Sequence, residues 1–155
     1  RPAAFGCAAP FLWLRRHCAL GQFRHLFLES GDLRFPCGIF YFSTPIVRTF
    51  PAHMTWIGCG SRHYTNYLQG TTTLVYTGTG STDAITMGGT NSIYVGNYVR
   101  DWTVRDMDIQ YSSSSFTGNL INLKTTAGST FSHCGLGGYG NGATPNNAAS
   151  IVTIS

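Results

Sequence analysis

The chain has 155 residues, a length that suits one domain with a buried core. Only 10% of the residues are charged, and Gly, Thr, Ser and Asn crowd the second half, which is typical of short strands and tight turns. The formal charge of +4 arises before residue 60, where six Arg outnumber Glu29 and Asp32, and the remainder of the chain is neutral. This distribution argues against a nucleic-acid partner, because no continuous basic stripe remains to follow a phosphate backbone.

The cysteines are irregularly spaced and form neither a CxxC pair nor a Cys–His zinc motif. The five are Cys7, Cys18, Cys37, Cys59 and Cys134. We interpret them as buried apolar thiols, which leaves the redox compartment undecided. We predict no metal site and no cofactor.

Residues 1–34 form an N-terminal segment unlike the rest of the chain. Residues 1–38 contain no Val, Ile, Thr or Asn, whereas all four are common from Ile39 onward. An apolar run at 11–14 ends at Arg15 and Arg16, which makes it too short for a membrane span, and no signal-peptide cleavage site follows it. We therefore predict no membrane association. A loose helical stripe interrupted by Gly21 predicts either a short helix that caps a stack of strands or an irregular segment foreign to the domain.

Two internal repeats indicate stacked turns of β-structure. Residues 104–109 align with residues 131–136 at an offset of 27, so that Val104 matches Phe131 and Met107 matches Cys134. The apolar alternation breaks at the third place, which is Asp106 in one repeat and His133 in the other. This break predicts a corner between two strands.

The same column extends to residues 56–59, which places Gly58 at the corner. It predicts one inward layer of Trp56, Val104 and Phe131 and a second layer of Cys59, Met107 and Cys134.

The second repeat aligns residues 84–85 with residues 120–121 at an offset of 36, and then with residues 151–152. A longer loop at 88–100 accounts for the difference between the two offsets, as insertions do in solenoid proteins. The chain lacks an initial Met and ends inside an alternating apolar segment. We therefore expect a fragment of a longer protein with further turns.

Several segments resemble one family in order and spacing. Residues 35–47 read FPCGIFYFSTPIV and residues 54–60 read MTWIGCG, and the segments 72–78, 83–88 and 104–109 follow. They resemble the right-handed parallel β-helices of the pectate-lyase superfamily, which includes pectate lyases and phage tailspikes. The resemblance covers residues 35–155 and implies an all-β, right-handed parallel β-helix (solenoid), here incomplete. Many members begin with a helix that carries a D-T/D-x-A-I-Q-x-A segment, and residues 1–34 contain nothing similar.

The resemblance implies a polysaccharide partner and an extracellular location, either secreted or on a virion tail. The implied activity is that of a glycoside hydrolase or a polysaccharide lyase, and a phage tailspike would be a homotrimer. The alternative, which belongs to a different functional class, is a noncatalytic adhesin or structural spike on the same scaffold.

An acid-rich patch supplies the candidate catalytic residues. Hydrolysis of a glycosidic bond needs two carboxylates, and a lyase needs a base beside a cation. The candidates are Asp101, Asp106, Asp108 and His133. Asp106 and His133 fall at predicted corners, where short polar residues are also ordinary turn formers, whereas we expect Asp108 to face outward.

Three further residues are candidates for substrate binding. Tyr98 and Tyr111 are expected in loops or at the edges of turns, where an aromatic ring can stack on a sugar, and Arg105 lies within the acid-rich patch. The alternative is that such tyrosines only cover the ends of the apolar stack.

Overall fold

The structure is a computed structural model that describes residues 31–49, 53–61, 70–88, 99–124, 126–138 and 150–154. These residues form twelve β-strands and contain no helix, so none of them forms a helix that could cross a membrane. The strands are β1 (Gly31–Arg34), β2 (Gly38–Phe42), β3 (Ile46–Arg48), β4 (Met54–Ile57), β5 (Thr72–Tyr76), β6 (Ile85–Met87), β7 (Val99–Arg100), β8 (Thr103–Tyr111), β9 (Asn119–Leu123), β10 (Thr126–Ala127), β11 (Thr130–Gly138) and β12 (Ser150–Ile154).

All strand pairs are parallel, and the predicted all-β class is confirmed. The largest sheet has six strands in the order β1-β4-β8-β5-β2, with β11 also beside β8. A second sheet has the order β12-β9-β6-β3, and β7 pairs with β10.

The six-stranded sheet is strongly curled, because β8 pairs with two shorter strands at different points along its length. Its first part pairs with β4, and its second part pairs with β5. The bend falls at Asp106, whose φ of 56° is left-handed, and β11 repeats it at His133 with a φ of 50°. The corner predicted at these two residues is therefore confirmed.

Both predicted repeat offsets are confirmed by the strand registers. Phe131 pairs with Val104 and Cys134 with Met107, at the offset of 27. Ile85 pairs with Ile121 at the offset of 36, and Val152 follows Ile121 in the same column.

The core is a stack of large side chains that crosses successive strands. Trp56 and Trp102 are fully buried and meet edge to face at 5.3 Å between ring centroids. Phe35 contacts Trp56 on one side at 6.0 Å, and Phe131 contacts Trp102 on the other at 5.4 Å. Such tilted and edge-on contacts are the favourable geometry for aromatic pairs. The apolar alternation of the sequence thus closes into one continuous core.

The prediction of buried thiols is wrong for Cys37 and Cys59. Cys59 is exposed rather than inward, and it forms a disulfide with Cys37 instead of remaining a thiol. The reason is that the chain leaves the sheet after Ile57, and Thr72, at the start of β5, takes the inward place beside Met107. Cys134 is a half-buried thiol, as expected, and its burial raises the pKa of the thiol.

The prediction of an irregular or short helical segment over residues 1–34 falls almost wholly outside the described residues. Its last four residues form β1, which pairs in register with β4. These four residues are therefore part of the six-stranded sheet. The loop expected at 88–100 also lies mainly outside the described part of the chain, which includes only its two ends.

Candidate functional site

The two stacked corners bring Asp106 and His133 together. His133 falls opposite Asp106, between the register pairs Ser132–Arg105 and Cys134–Met107, and the distance between His133 Nδ1 and Asp106 Oδ1 is 3.3 Å. The His133 side chain is 65% exposed and that of Asp106 is 37% exposed, so both are open to a ligand. Asp and His are among the few residues other than Gly that tolerate a positive φ, which suits both to this corner. Two of the four predicted catalytic residues thus form one pair, named here the corner pair.

Arg105 directly precedes the corner pair. Its side chain is exposed on β8, while its carbonyl oxygen accepts a hydrogen bond of 3.0 Å from the Gly58 amide. The backbone of Arg105 is therefore fixed while the guanidinium lies at the surface. A planar guanidinium in this position can bind a carboxylate in a bidentate manner.

A second Asp–His pair lies at the other end of the same strand segment. The distance between His53 Nδ1 and Asp101 Oδ2 is 2.9 Å, and the two side chains are 69% and 60% exposed. Both residues again have a positive φ, 48° for His53 and 51° for Asp101. Sequence reasoning identified Asp101 but missed His53. Extending the alignment of Trp56 with Val104 three residues backward would have placed His53 beside Asp101.

The spacing between Asp101 and Asp106 limits the chemistry that these two carboxylates can do together. Asp101 and Asp106 are five residues apart on one extended segment, which corresponds to about 16 Å. Paired carboxylates in glycoside hydrolases lie about 5–10 Å apart. These two residues therefore do not form a hydrolase pair.

Asp108 does not face the open surface, and the expectation that it would is wrong. Its side chain is 0% exposed, and its Oδ1 accepts hydrogen bonds from Ser61 Oγ and, at 3.1 Å, from the Gly135 amide. Asp108 does lie on the outer side of β8, but Ser61, which follows β4, covers it. Asp108 is thus held in a network that links three successive passes of the chain.

Tyr111 is not available for stacking on a sugar. It is 3% exposed and packs on Phe116 at 5.3 Å between ring centroids, within the core. The prediction that Tyr111 binds substrate is corrected accordingly, and the alternative, that the ring covers the apolar stack, describes it better. Tyr98 lies outside the described residues.

The corner pair has the composition of a general base. If His133 donates its Nδ1 proton to the Asp106 carboxylate, Nε2 is the acceptor nitrogen of the neutral ring. A carboxylate on Nδ1 fixes the tautomer and stabilises the imidazolium that forms when Nε2 takes a proton. Arg105, the residue before Asp106 on β8, has an exposed side chain, so the surface that carries this base also carries a cation.

Asp83 forms a polar network on the four-stranded sheet that sequence reasoning treated only as the end of a turn. Its Oδ1 accepts bonds from the Asn119 amide and Nδ2 at 2.9 and 2.7 Å, and its Oδ2 accepts one from Asn122 Nδ2 at 2.7 Å. Burial alone would raise the pKa of Asp83, but these hydrogen bonds and the charge of Lys124 lower it below its ordinary value of 3.8. This carboxylate stabilises the stacking of β6 on β9.

Among the described residues, no three His, Cys, Asp or Glu side chains converge as metal ligands would. Comparison of the chain with known protein families, with curated proteins and with solved structures found no match. The site is therefore interpreted from its own geometry.

Proposed function

We propose that this chain forms turns of a right-handed parallel β-helix that binds an extracellular polysaccharide along the outer surface of its six-stranded sheet. The order of strand pairing supports this proposal. β1 leads to β4, β8 and β11, while β3 leads to β6, β9 and β12, each beside its predecessor. A chain that passes the same sheets in the same order winds as a solenoid does.

The corner pair, with Arg105 beside it, carries the proposal of a chemical activity. A polysaccharide lyase removes the proton next to a uronate carboxylate, with a cation to balance the charge that develops and a base to take the proton. His133 is the candidate base, Asp106 orients it, and Arg105 is the candidate cation. Asp101 is too far from Asp106 to form a hydrolase pair and Asp108 is buried, so the exposed groups favour a lyase over a hydrolase. The substrate class would then be a uronate-containing polysaccharide.

The disulfide between Cys37 and Cys59 supports the extracellular location. Disulfides form and persist in oxidising surroundings such as the periplasm, the cell exterior and virion surfaces.

The lyase proposal is tested with a panel of uronate-containing and neutral polysaccharides. Absorbance from new carbon–carbon double bonds and the release of reducing ends are followed together. We expect both signals on a uronate polymer and a loss of about 100-fold or more in His133→Gln, since general-base catalysis typically contributes this much. The matched control is His53→Gln, which removes the other Asp–His pair and should retain activity. Reducing ends without double bonds would contradict the lyase proposal.

A noncatalytic adhesin or structural spike is the second candidate. It is favoured by the burial of Asp108, which removes one predicted catalytic residue from the surface that a glycan can reach. This function predicts retention of a polysaccharide on the immobilised protein without release of new ends. Equal retention by His133→Gln and by the unaltered chain would support it.

A further inference from the structure

A short segment after β4 covers the buried carboxylate of Asp108. Residues 58–61, named here the strap, run from Gly58 to Ser61. Ser61 is 1% exposed and donates its hydroxyl to Asp108, which is 0% exposed. Asp108 is therefore closed to solvent, although it occupies an outward position on β8 next to the corner pair.

Two kinds of bond hold the strap in place, and the first is the hydrogen bond. The Gly60 amide donates to the Asp106 carbonyl oxygen at 2.8 Å, and the Gly60 carbonyl oxygen accepts from the Thr72 amide at 2.9 Å. The second kind is covalent, since Cys59 is bonded to Cys37 in the turn before β2. Around that bond, the Thr72 hydroxyl accepts from the Cys59 amide and donates to the Pro36 carbonyl oxygen, at 2.9 and 3.0 Å.

The hydrogen bonds and the disulfide differ in what can break them. Each backbone hydrogen bond contributes little net free energy, because the unfolded chain makes equivalent bonds with water. The disulfide holds the strap regardless of these hydrogen bonds, and both of its cysteines are exposed. An exposed disulfide can be attacked by a thiolate, whereas a buried one cannot.

We infer that the Cys37–Cys59 disulfide is a redox latch that keeps the strap over Asp108, and that its reduction opens Asp108 to solvent and ligands. The reductant is a dithiol. One of its thiolates attacks a cysteine sulfur and forms a mixed disulfide, and its second thiol then resolves that bond. The dithiol is oxidised to a disulfide, and Cys37 and Cys59 are released as two thiols. This inference concerns access to Asp108 and holds whether or not the protein cleaves a glycan.

The test is labelling of carboxylates with a carbodiimide and an amine, read residue by residue by mass spectrometry on the full chain. We expect Asp108 to remain unlabelled in the oxidised protein. After treatment with a dithiol, or in the double variant Cys37→Ser/Cys59→Ser, its labelling rate should rise about tenfold or more, as local opening would require. Asp32 and Asp101, both exposed, are internal references that should label equally in every sample. The variant Cys134→Ser, treated with the dithiol, should respond like the unaltered chain.

Hydrogen exchange separates local opening from unfolding. The Gly135 amide, which donates to Asp108, should lose protection on reduction, whereas the core amides of Ile109 and Ile121 should keep it. Two results would overturn the inference. The first is Asp108 that stays unlabelled when the disulfide is reduced or absent. The second is loss of protection throughout the core, which would make the disulfide a staple of the whole fold.

Discussion

Asp106 adopts a backbone conformation that most side chains avoid. With a φ of 56°, the residue is left-handed, which costs about 1–2 kcal/mol for an ordinary side chain and least for Asn and Asp. We predict that Asp106→Val lowers the free energy of unfolding by about 1–3 kcal/mol, because a β-branched residue is strained there. Asp106→Asn should stay within about 1 kcal/mol of the parent, since Asn also tolerates a positive φ and an exposed side-chain pair contributes little to stability. Urea unfolding at neutral pH measures both, and equal losses would argue against the left-handed corner.

Asp83 makes the stability of the fold depend on pH. Its pKa is lower in the folded chain than in the unfolded chain, so the stability it contributes is present above about pH 4 and is lost as the pH falls through the lowered value. We predict that Asp83→Asn removes this part of the acid sensitivity and lowers stability at pH 7. The measurement is urea unfolding at pH 7 and pH 3. Exposed Asp32→Asn is the control, and the same pH dependence in both variants would contradict the network around Asp83.

The chain after β4 passes very close to the backbone of β8 at Gly58. A Cβ atom on Gly58 would lie 2.2 Å from the Asp106 carbonyl oxygen and 2.7 Å from Met107 Cβ, so β4 can leave β8 here only with glycine. We predict that Gly58→Ala destabilises the fold by about 2–4 kcal/mol. The control is Gly80→Ala, where φ is 79° and nothing lies within 4 Å, so only about 1 kcal/mol of backbone strain is expected. Thermal unfolding that ranks the two variants in the opposite order would contradict this packing.

The strands whose register could be predicted from the sequence were those in which the same break in apolar alternation recurs. The break in alternation at Asp106 and His133 fixed the register of β8 against β11, because a corner must recur at the same place in each turn. Cys59 was misplaced for the converse reason. Four matching residues could not reveal that β4 ends at Ile57 and that β5, which begins at Thr72, pairs with the second part of β8. Burial of Asp108 was missed because the strap that covers it is close in space but 47 residues away along the chain at Ser61.

Large apolar side chains are exposed on the strands at the margins of the four-stranded sheet. Val47 on β3 is 60% exposed and Ile154 on β12 is 71% exposed, and these two strands end the order of the four-stranded sheet among the described residues. Open strand edges with apolar side chains promote association. We predict concentration-dependent self-association by light scattering that weakens in Val47→Lys. Thr117→Lys, which adds the same charge in an exposed turn, should leave the association unchanged.

The class of fold and the position of the corner pair followed from local sequence patterns, since apolar periodicity and turn residues are local properties. The surroundings of the site could not be predicted in this way, because the burial of a side chain depends on which distant segments of the chain pack over its strand. His53 and Asp101 illustrate the limit. They are 48 residues apart in sequence, and only the register of β4 against β8 brings them together.

The register of β8 against β11 sets His133 opposite Asp106, and the proposed chemistry depends on it. Engineered disulfides test it most directly, in a Cys134→Ser background. Arg105→Cys with Ser132→Cys joins two register partners on the accessible side of adjacent strands, and we predict that this pair oxidises to a crosslink. Arg105→Cys with Thr130→Cys is shifted by two residues, which separates the Cα atoms by about 8 Å and should prevent the bond. A crosslink in the shifted pair, with none in the register pair, would contradict the account.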